Sequence, residues 1–284
     1  MLTDNIEKWL AKHGYPLEMR TARTFAAAGF DVSQSEYYRD SGSADFRELD
    51  MIATHNVETK RVCYCTQVLI ECKFCDDKPW LIFTEREDAG GGRKLMANPG
   101  NALGDEMTGR FTFHPIVGRL PLFCENSTIG YAVVESMREK ANDKDNSYNT
   151  LMALGKAMNA YTKEPRYVHS AGRHICEVYM AVAVISGRCF QAFLGDSGGV
   201  QLREIKSGAV WWNNRVSGQR SIIVHVVTEN GLPEFCRTLK ASSDQLWAAV
   251  DKDGCVRKKV GPVPSGFPAL DGTSPKHKGT DPTA

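Results

Sequence analysis

The hydrophobic pattern near the N-terminus predicts two helices. Residues 4–13 are predicted to form a short helix that ends at Gly14. A second helix is predicted from Pro16, where the first turn tolerates proline, to Gly29. Its apolar face consists of Leu17, Thr21, Phe25 and Ala28. Glu18 lies at the edge of that face, so we expect its carboxylate to reach the surface on which the helix packs.

Three strand-like runs follow this helix. They are Phe30–Tyr38, Glu48–Thr54 and Val62–Phe74, and polar turns separate them. The predicted order is therefore one helix followed by a three-stranded antiparallel meander.

The rest of the chain predicts mostly strands. Glycines interrupt the pattern between Thr84 and Gly130, and a loop-rich segment of this length is usually functional or mobile. Strands are expected at 131–135, 176–185, 188–194, 200–206 and 222–228, and helices at 149–162 and 232–250. The last helix is expected to break or bend near Ser242 and Ser243.

These elements predict an α/β protein with a mixed central sheet flanked by helices, plus additional C-terminal strands and a helix. We expect a core over 1–170, which includes the loop-rich excursion at 84–130. Residues 171–260 either extend the sheet or form a small second lobe. Residues 261–284 are rich in proline and glycine, which is typical of a disordered tail.

Composition excludes several classes of protein. The 284 residues are 42% hydrophobic and 24% charged, which is ordinary for a globular protein. The net charge is +1, so any nucleic-acid contact must come from a local patch. No apolar run approaches the ~20 residues that span a bilayer, and residues 1–10 lack the apolar core of a signal peptide. We therefore expect a cytoplasmic protein that does not contact the membrane.

The nine cysteines indicate reduced thiols in such a chain. Cys63, Cys65, Cys72 and Cys75 could be read as a zinc site. However, Cys63 and Cys65 share one strand face while Cys72 points to the other, and the spacing fits no standard pair of zinc ligands. Buried thiols are the favoured interpretation.

Three charged residues in the meander are candidates for catalysis. Asp50 opens the second strand and Glu71 lies near the end of the third, so an antiparallel pairing brings the two carboxylates together. Lys73 is two residues after Glu71 and shares its face. Carboxylates placed close together repel and need a cation to coexist as anions. Oxygen ligands of this kind suit Mg²⁺, which keeps several waters and shares a phosphate oxygen with its substrate.

The order of these residues resembles the PD-(D/E)XK nuclease superfamily, and within it the Holliday-junction-resolvase and Mrr-like branch. The resemblance rests on Glu18 in the first helix, on Arg47-Glu48-Leu49-Asp50 and on Leu69-Ile70-Glu71-Cys72-Lys73, and it covers residues 14 to about 83. It departs from the motif at Leu49, where proline usually precedes the aspartate. The resemblance implies a restriction-endonuclease-like αβββαβ core. It further implies that Asp50 and Glu71 are metal ligands, that Lys73 is the catalytic lysine and that Glu18 is an accessory acid and a further ligand.

The resemblance also implies a function. We expect Mg²⁺-dependent hydrolysis of DNA phosphodiesters, with Mn²⁺ as a substitute, by an endonuclease of prokaryotic restriction, defence or repair. Such a nuclease could require a protein partner for targeting or activation, and a homodimer is left open. The alternative from another class is a nucleic-acid-binding subunit that has the fold but does not cleave without a partner.

Three other features of the sequence suggest alternative interpretations. Gly195-Asp196-Ser197-Gly198-Gly199 matches the nucleophile signature of chymotrypsin-like proteases, for which His55 and Asp105 would complete the triad, but it also fits a glycine-rich hairpin loop. Trp211 and Trp212 could stack on bases, although burial in a β-rich core is favoured. A basic patch that neutralises phosphates, as opposed to solvated loop charges, could include Arg93, Lys94, Arg110, His114 and Arg119.

Overall fold

Runs of strands are separated by helices in this computed structural model. It describes residues 2–10, 13–40, 42–43, 45–75, 78–85, 95, 97–120, 122–123, 129–137, 145–163, 173–213 and 221–260. The predicted tail at 261–284 lies outside the described residues.

The N-terminal elements follow the predicted order. Helices α1 and α2 span Leu2–Leu10 and Tyr15–Ala27. Strands β1, β2 and β3 span Asp31–Arg39, Phe46–Glu58 and Val62–Lys73, and each pairs antiparallel with the next.

The remaining elements are β4 (Trp80–Phe83), β5 (Asn98–Pro99), α3 (Ala102–Phe111), a 3₁₀ turn (Val117–Arg119), β6 (Ile129–Gly130), β7 (Ala132–Glu135), α4 (Asn146–Lys163), β8 (His174–Ile185), β9 (Cys189–Leu194), β10 (Val200–Ile205), β11 (Ser207–Trp212), β12 (Ile222–Thr228), a second 3₁₀ turn (Glu229–Gly231), α5 (Leu232–Asp253) and α6 (Cys255–Lys259).

The larger of two sheets has the strand order β1-β2-β3-β8-β12-β11-β6, and β5 pairs with β8 at its side. Strands β3, β8 and β12 run parallel, whereas β1 pairs antiparallel with β2, β2 with β3, and β11 with β12; β11 pairs parallel with β6. The sheet is therefore of mixed orientation. Helices α2 and α5 cover one face and α4 covers the other. This confirms the expectation of an α/β protein with a mixed central sheet flanked by helices.

The smaller sheet has the order β10-β9-β4-β7. Strands that follow residue 173 contribute to both sheets, because β8, β11 and β12 lie in the larger sheet and β9 and β10 in the smaller one.

Strand β3 lies at the centre of the core, and every residue from Val62 to Cys72 is buried. Both of its faces are covered by helices, which is why its sequence is nearly continuously apolar. Trp247 of α5 anchors one face by donating its indole N–H to Thr66 Oγ1 at 2.8 Å. Burial on both faces of the sheet holds the C-terminal end of β3 in place, and Glu71 and Lys73 lie at that end.

Helix α3 lies inside the segment that was expected to be irregular. Asn101 caps its N-terminus and accepts the backbone N–H of Gly104, while Met107 and Phe111 are buried one turn apart. Gly104 lowers helix propensity, but it is required for packing, because a Cβ there would lie 2.1 Å from the carbonyl oxygen of Glu177. Gly104 therefore serves close contact between α3 and β8.

Helix α5 is uninterrupted from Leu232 to Asp253, so the break expected near Ser242 and Ser243 does not occur. Both serines are buried against the sheet. Tertiary packing of an amphipathic face outweighs the weak helix preference of serine.

None of the helices in the described part of the chain is long and apolar enough to cross a membrane.

Candidate active site

Strands β2 and β3 separate at the candidate site, and we call this position the fork. Met51 and Ile70 form the last ladder pair, so the next two residues, Asp50 and Glu71, face each other where pairing ends. The Asp50 side chain then replaces the missing ladder partner, because its Oδ2 accepts the backbone N–H of Cys72 at 2.6 Å. The carboxylate is thus fixed by the backbone of the strand that carries Glu71.

At the position of Asp50, the side chains of β2 switch the faces of the sheet on which they pack. Leu49 and Met51 are two residues apart, yet they pack into core clusters on opposite sides of the sheet. Ser35, which stands opposite Asp50 in the β1–β2 register, has a left-handed backbone with φ of 52°. Left-handed residues other than glycine are costly and often occur at functional sites. The local twist around Asp50 therefore coincides with the fork.

Glu71 and Lys73 lie side by side on one face of β3, as alternation predicts. The Glu71 carboxylate is 4% exposed, and Lys73 Nζ donates a hydrogen bond to Glu71 Oε2 at 3.1 Å. The lysine therefore neutralises part of the charge of one acid while it keeps two further N–H donors.

Burial and mutual repulsion disfavour the charged forms of the acids at the fork. Burial first, and the charge of Asp50 second, raise the pKa of Glu71 to about 7. Burial also raises the pKa of Asp50, against the stabilising bond from Cys72. Burial lowers the pKa of Lys73, but Glu71 and Asp50 raise it by more, so the ammonium is retained. The folded structure therefore disfavours the state in which Asp50 and Glu71 are both ionised.

Glu18 reaches this group from the first turn of α2. Its pKa is raised by burial, then by the charges of Asp50 and Glu48, and is lowered by Lys73. The expected accessory acid is therefore electrostatically coupled to the fork.

Sequence reasoning missed Glu48 as a fourth acid. Its charge raises the pKa values of both Glu18 and Asp50. The signal was available, because Glu48 is two residues before Asp50 in the same strand.

The acids at the fork are of the type that could hold a hydrated Mg²⁺. Within the part of the chain that the structure describes, no three His, Cys, Asp or Glu side chains are arranged as a ready metal site. Mg²⁺ usually keeps several waters and is held by one or two carboxylates, which is the ligand set that Asp50 and Glu71 offer. Their raised pKa values are the physical reason for a cation to stabilise them.

The predicted basic patch is not assembled at the fork by the described residues. Arg110 pairs with Asp253 at the end of α5, where nearby Asp251 accepts a hydrogen bond from Tyr64. Tyr64 precedes Glu71 by seven residues of β3, so Arg110 lies at the far end of the sheet, about 20 Å away. Arg119 is exposed at the end of its 3₁₀ turn, and Arg93 and Lys94 lie outside the described residues.

The protease-like signature forms a hairpin turn. Ser197 lies between β9 and β10 of the smaller sheet, and a hydrogen bond joins Gly195 and Gly199 across the turn. His55 lies on β2 of the larger sheet and its Nε2 contacts Asp244 of α5 at 2.6 Å. Asp105 belongs to the first turn of α3. These residues therefore sit on separate elements, and the ring of His55 is engaged elsewhere.

The four cysteines that were weighed as a zinc site are buried free thiols. Burial raises the pKa of Cys63 to about 11 and that of Cys75 to about 12. Such thiols behave as small hydrophobic side chains.

No protein-family model, curated protein or solved structure matches this chain in comparison.

Proposed function

We propose that this protein is a Mg²⁺-dependent nuclease that hydrolyses phosphodiester bonds of DNA, with a PD-(D/E)XK-type core. The observation that supports this most is the geometry at the fork. Two carboxylates with raised pKa values, Asp50 and Glu71, lie where β2 and β3 separate, and Lys73 is hydrogen-bonded to one of them. Structural acids in a core are normally paired with cations one to one, whereas this group has an excess of acids.

Each residue of the fork has a distinct role in the proposed reaction. Asp50 and Glu71 would hold the cation, and Glu18, which is electrostatically coupled to Asp50, would bind a water of the hydration shell. When bound, Mg²⁺ polarises the phosphodiester and lowers the pKa of a coordinated water. Lys73 remains an ammonium because its neighbours are acids, so it can donate a hydrogen bond to the attacking water or to a phosphoryl oxygen. Cys72 keeps Asp50 oriented through its backbone N–H.

DNA is proposed as the substrate because the fork carries the motif order of the PD-(D/E)XK superfamily. The same resemblance supports an endonuclease of prokaryotic restriction, defence or repair, and a protein partner that directs or activates it. Dimerisation would be consistent with double-strand cleavage by two such sites.

The proposal is tested by incubating purified protein with supercoiled plasmid, single-stranded DNA and RNA. Each substrate receives Mg²⁺, Mn²⁺ or EDTA. We expect nicked or linear plasmid with either cation and intact plasmid with EDTA. Cleavage of RNA alone would overturn the substrate assignment, and cleavage that persists in EDTA would overturn the metal dependence.

A further inference from the structure

A second candidate site lies where the chain passes from the larger sheet to the smaller one. Strand β6 pairs with β11 of the larger sheet and β7 pairs with β4 of the smaller sheet. Tyr131 lies between them and donates its backbone N–H to the carbonyl of Phe83 at 2.9 Å. A cavity of about 390 Å³ opens at this junction. Its described lining consists of Glu85, Ile129, Gly130, Tyr131, Trp211, Trp212 and Asn213.

The walls of this junction cavity are aromatic and supported from behind. Trp211 is 38% exposed and Tyr131 is 65% exposed, so part of each ring is open to solvent beside the cavity. Tyr148 of α4 packs edge-on against Trp212 at 5.7 Å between ring centroids, and Phe83 packs against Tyr131 at 6.4 Å. Rings that are held in place and partly exposed offer flat surfaces for a planar ligand.

The polar groups of the cavity define the hydrogen bonds that such a ligand must make. Glu85 provides a carboxylate, which only accepts hydrogen bonds when ionised. Asn213 Oδ1 already accepts a hydrogen bond from Ser221 Oγ at 2.9 Å, so its amide N–H groups are the groups left to donate. The described lining contains neither lysine nor arginine. A planar heterocycle with adjacent N–H donors matches this set.

The junction cavity lies on the same sheet as the fork. Strand β11 is three strands away from β3, and the register places Trp212 about four residues short of the level of Glu71. With standard strand spacing and rise, the two sites are about 20 Å apart. A nucleic-acid strand of several nucleotides can span that distance.

We propose that the junction cavity binds one unstacked nucleobase, stacked on Trp211 and Tyr131, with guanine preferred. Guanine presents two adjacent N–H donors on its Watson–Crick edge, and a carboxylate such as that of Glu85 can accept both. This inference rests on the proposed nuclease function in one respect only. The bound base is taken to belong to a nucleic-acid strand that also reaches the fork.

The test measures binding in EDTA, so that cleavage plays no part. Fluorescein-labelled dT12 with a single central dG is compared with plain dT12 by fluorescence anisotropy, and GMP and TMP serve as competitors. Trp211→Ala should weaken oligonucleotide binding about 5- to 150-fold, the range that loss of one stacked base gives. Trp211→Phe should stay near wild type because it still stacks. Trp9→Ala, which removes another half-exposed tryptophan on α1, is the matched control and should have no effect.

Glu85→Gln should bind both oligonucleotides alike, because an amide no longer accepts both guanine donors. GMP binding as tight as the oligonucleotide, with the same loss in Trp211→Ala, would support the cavity but assign it to a free nucleotide. Unchanged binding in Trp211→Ala, or equal losses in Trp211→Ala and Trp9→Ala, would overturn the proposal. Base binding without any cleavage in Mg²⁺ would leave this inference standing while the nuclease function fails.

Discussion

Removal of the Glu71 charge should stabilise the metal-free protein at alkaline pH. The buried carboxyl has a pKa of about 7 against its usual 4.5, so its ionisation in the folded state costs about 3 kcal/mol. Glu71→Gln keeps the shape of the side chain and an acceptor for Lys73 but cannot ionise. At pH 8 in EDTA we expect the variant to gain roughly 1–3 kcal/mol in free energy of unfolding.

The sign of the pH dependence follows from proton binding. Between pH 4.5 and 7 the folded wild type holds a proton on Glu71 that the unfolded chain has lost. The free energy of unfolding of the wild type should therefore fall as pH rises through this window. Above pH 7 the full cost of ionising Glu71 in the folded protein is present. Glu71→Gln should lack this contribution. Urea unfolding followed by circular dichroism at a series of pH values from 5 to 8 measures the difference between the two proteins.

Addition of Mg²⁺ completes the comparison. If the fork binds Mg²⁺ in the folded state as proposed, the cation should stabilise the wild type and should stabilise Glu71→Gln less. Glu7→Gln, at an exposed position on α1, controls for the loss of a carboxylate and should follow the wild-type curve. If Glu71→Gln instead follows the wild-type pH dependence, Glu71 is not held in a buried group of acids and the account of the fork fails.

Two further predictions concern stability alone. His225 is fully buried with a pKa lowered to about 4, and the unfolded chain binds its proton near pH 6.5. Stability should therefore fall by about 3 kcal/mol as pH drops through this window, and His225→Leu should not show this fall in urea unfolding. In helix α3, Gly104→Ala places a Cβ 2.1 Å from the Glu177 carbonyl oxygen and should destabilise by more than ~2 kcal/mol. Its matched control in the same helix, Gly109→Ala, meets nothing within 4 Å and should stabilise by up to ~1 kcal/mol in thermal unfolding.

Hydrophobic periodicity predicted the elements that dominate the core. Strand β3 was evident because both of its faces are buried, and α2 because its apolar stripe is regular. Helix α3 was missed because Gly104 lowers helix propensity, and its contact with β8 is not revealed by a single-sequence pattern. Strand β11, which carries Trp211 and Trp212, was also not predicted from the sequence.

Residue order predicted the pairing of Asp50 with Glu71, and the register places them opposite each other at the fork. The separation of β2 from β3 was not predicted from the sequence, and it coincides with the hydrogen bond from Cys72 to Asp50 and with the left-handed Ser35. Non-local geometry of this kind leaves no periodic signal.

The central claim is that the fork cleaves DNA, and plasmid cleavage by matched variants tests it most directly. Wild type, Asp50→Asn, Lys73→Ala and Lys8→Ala, an exposed lysine of α1, are purified identically and incubated with supercoiled plasmid and Mg²⁺. We expect wild type and Lys8→Ala to nick or linearise the plasmid, and the two fork variants to lose at least 100-fold in rate, as removal of a group that stabilises transition-state charge does. Equal cleavage by all four proteins would contradict the account, because the activity would then come from elsewhere than the fork.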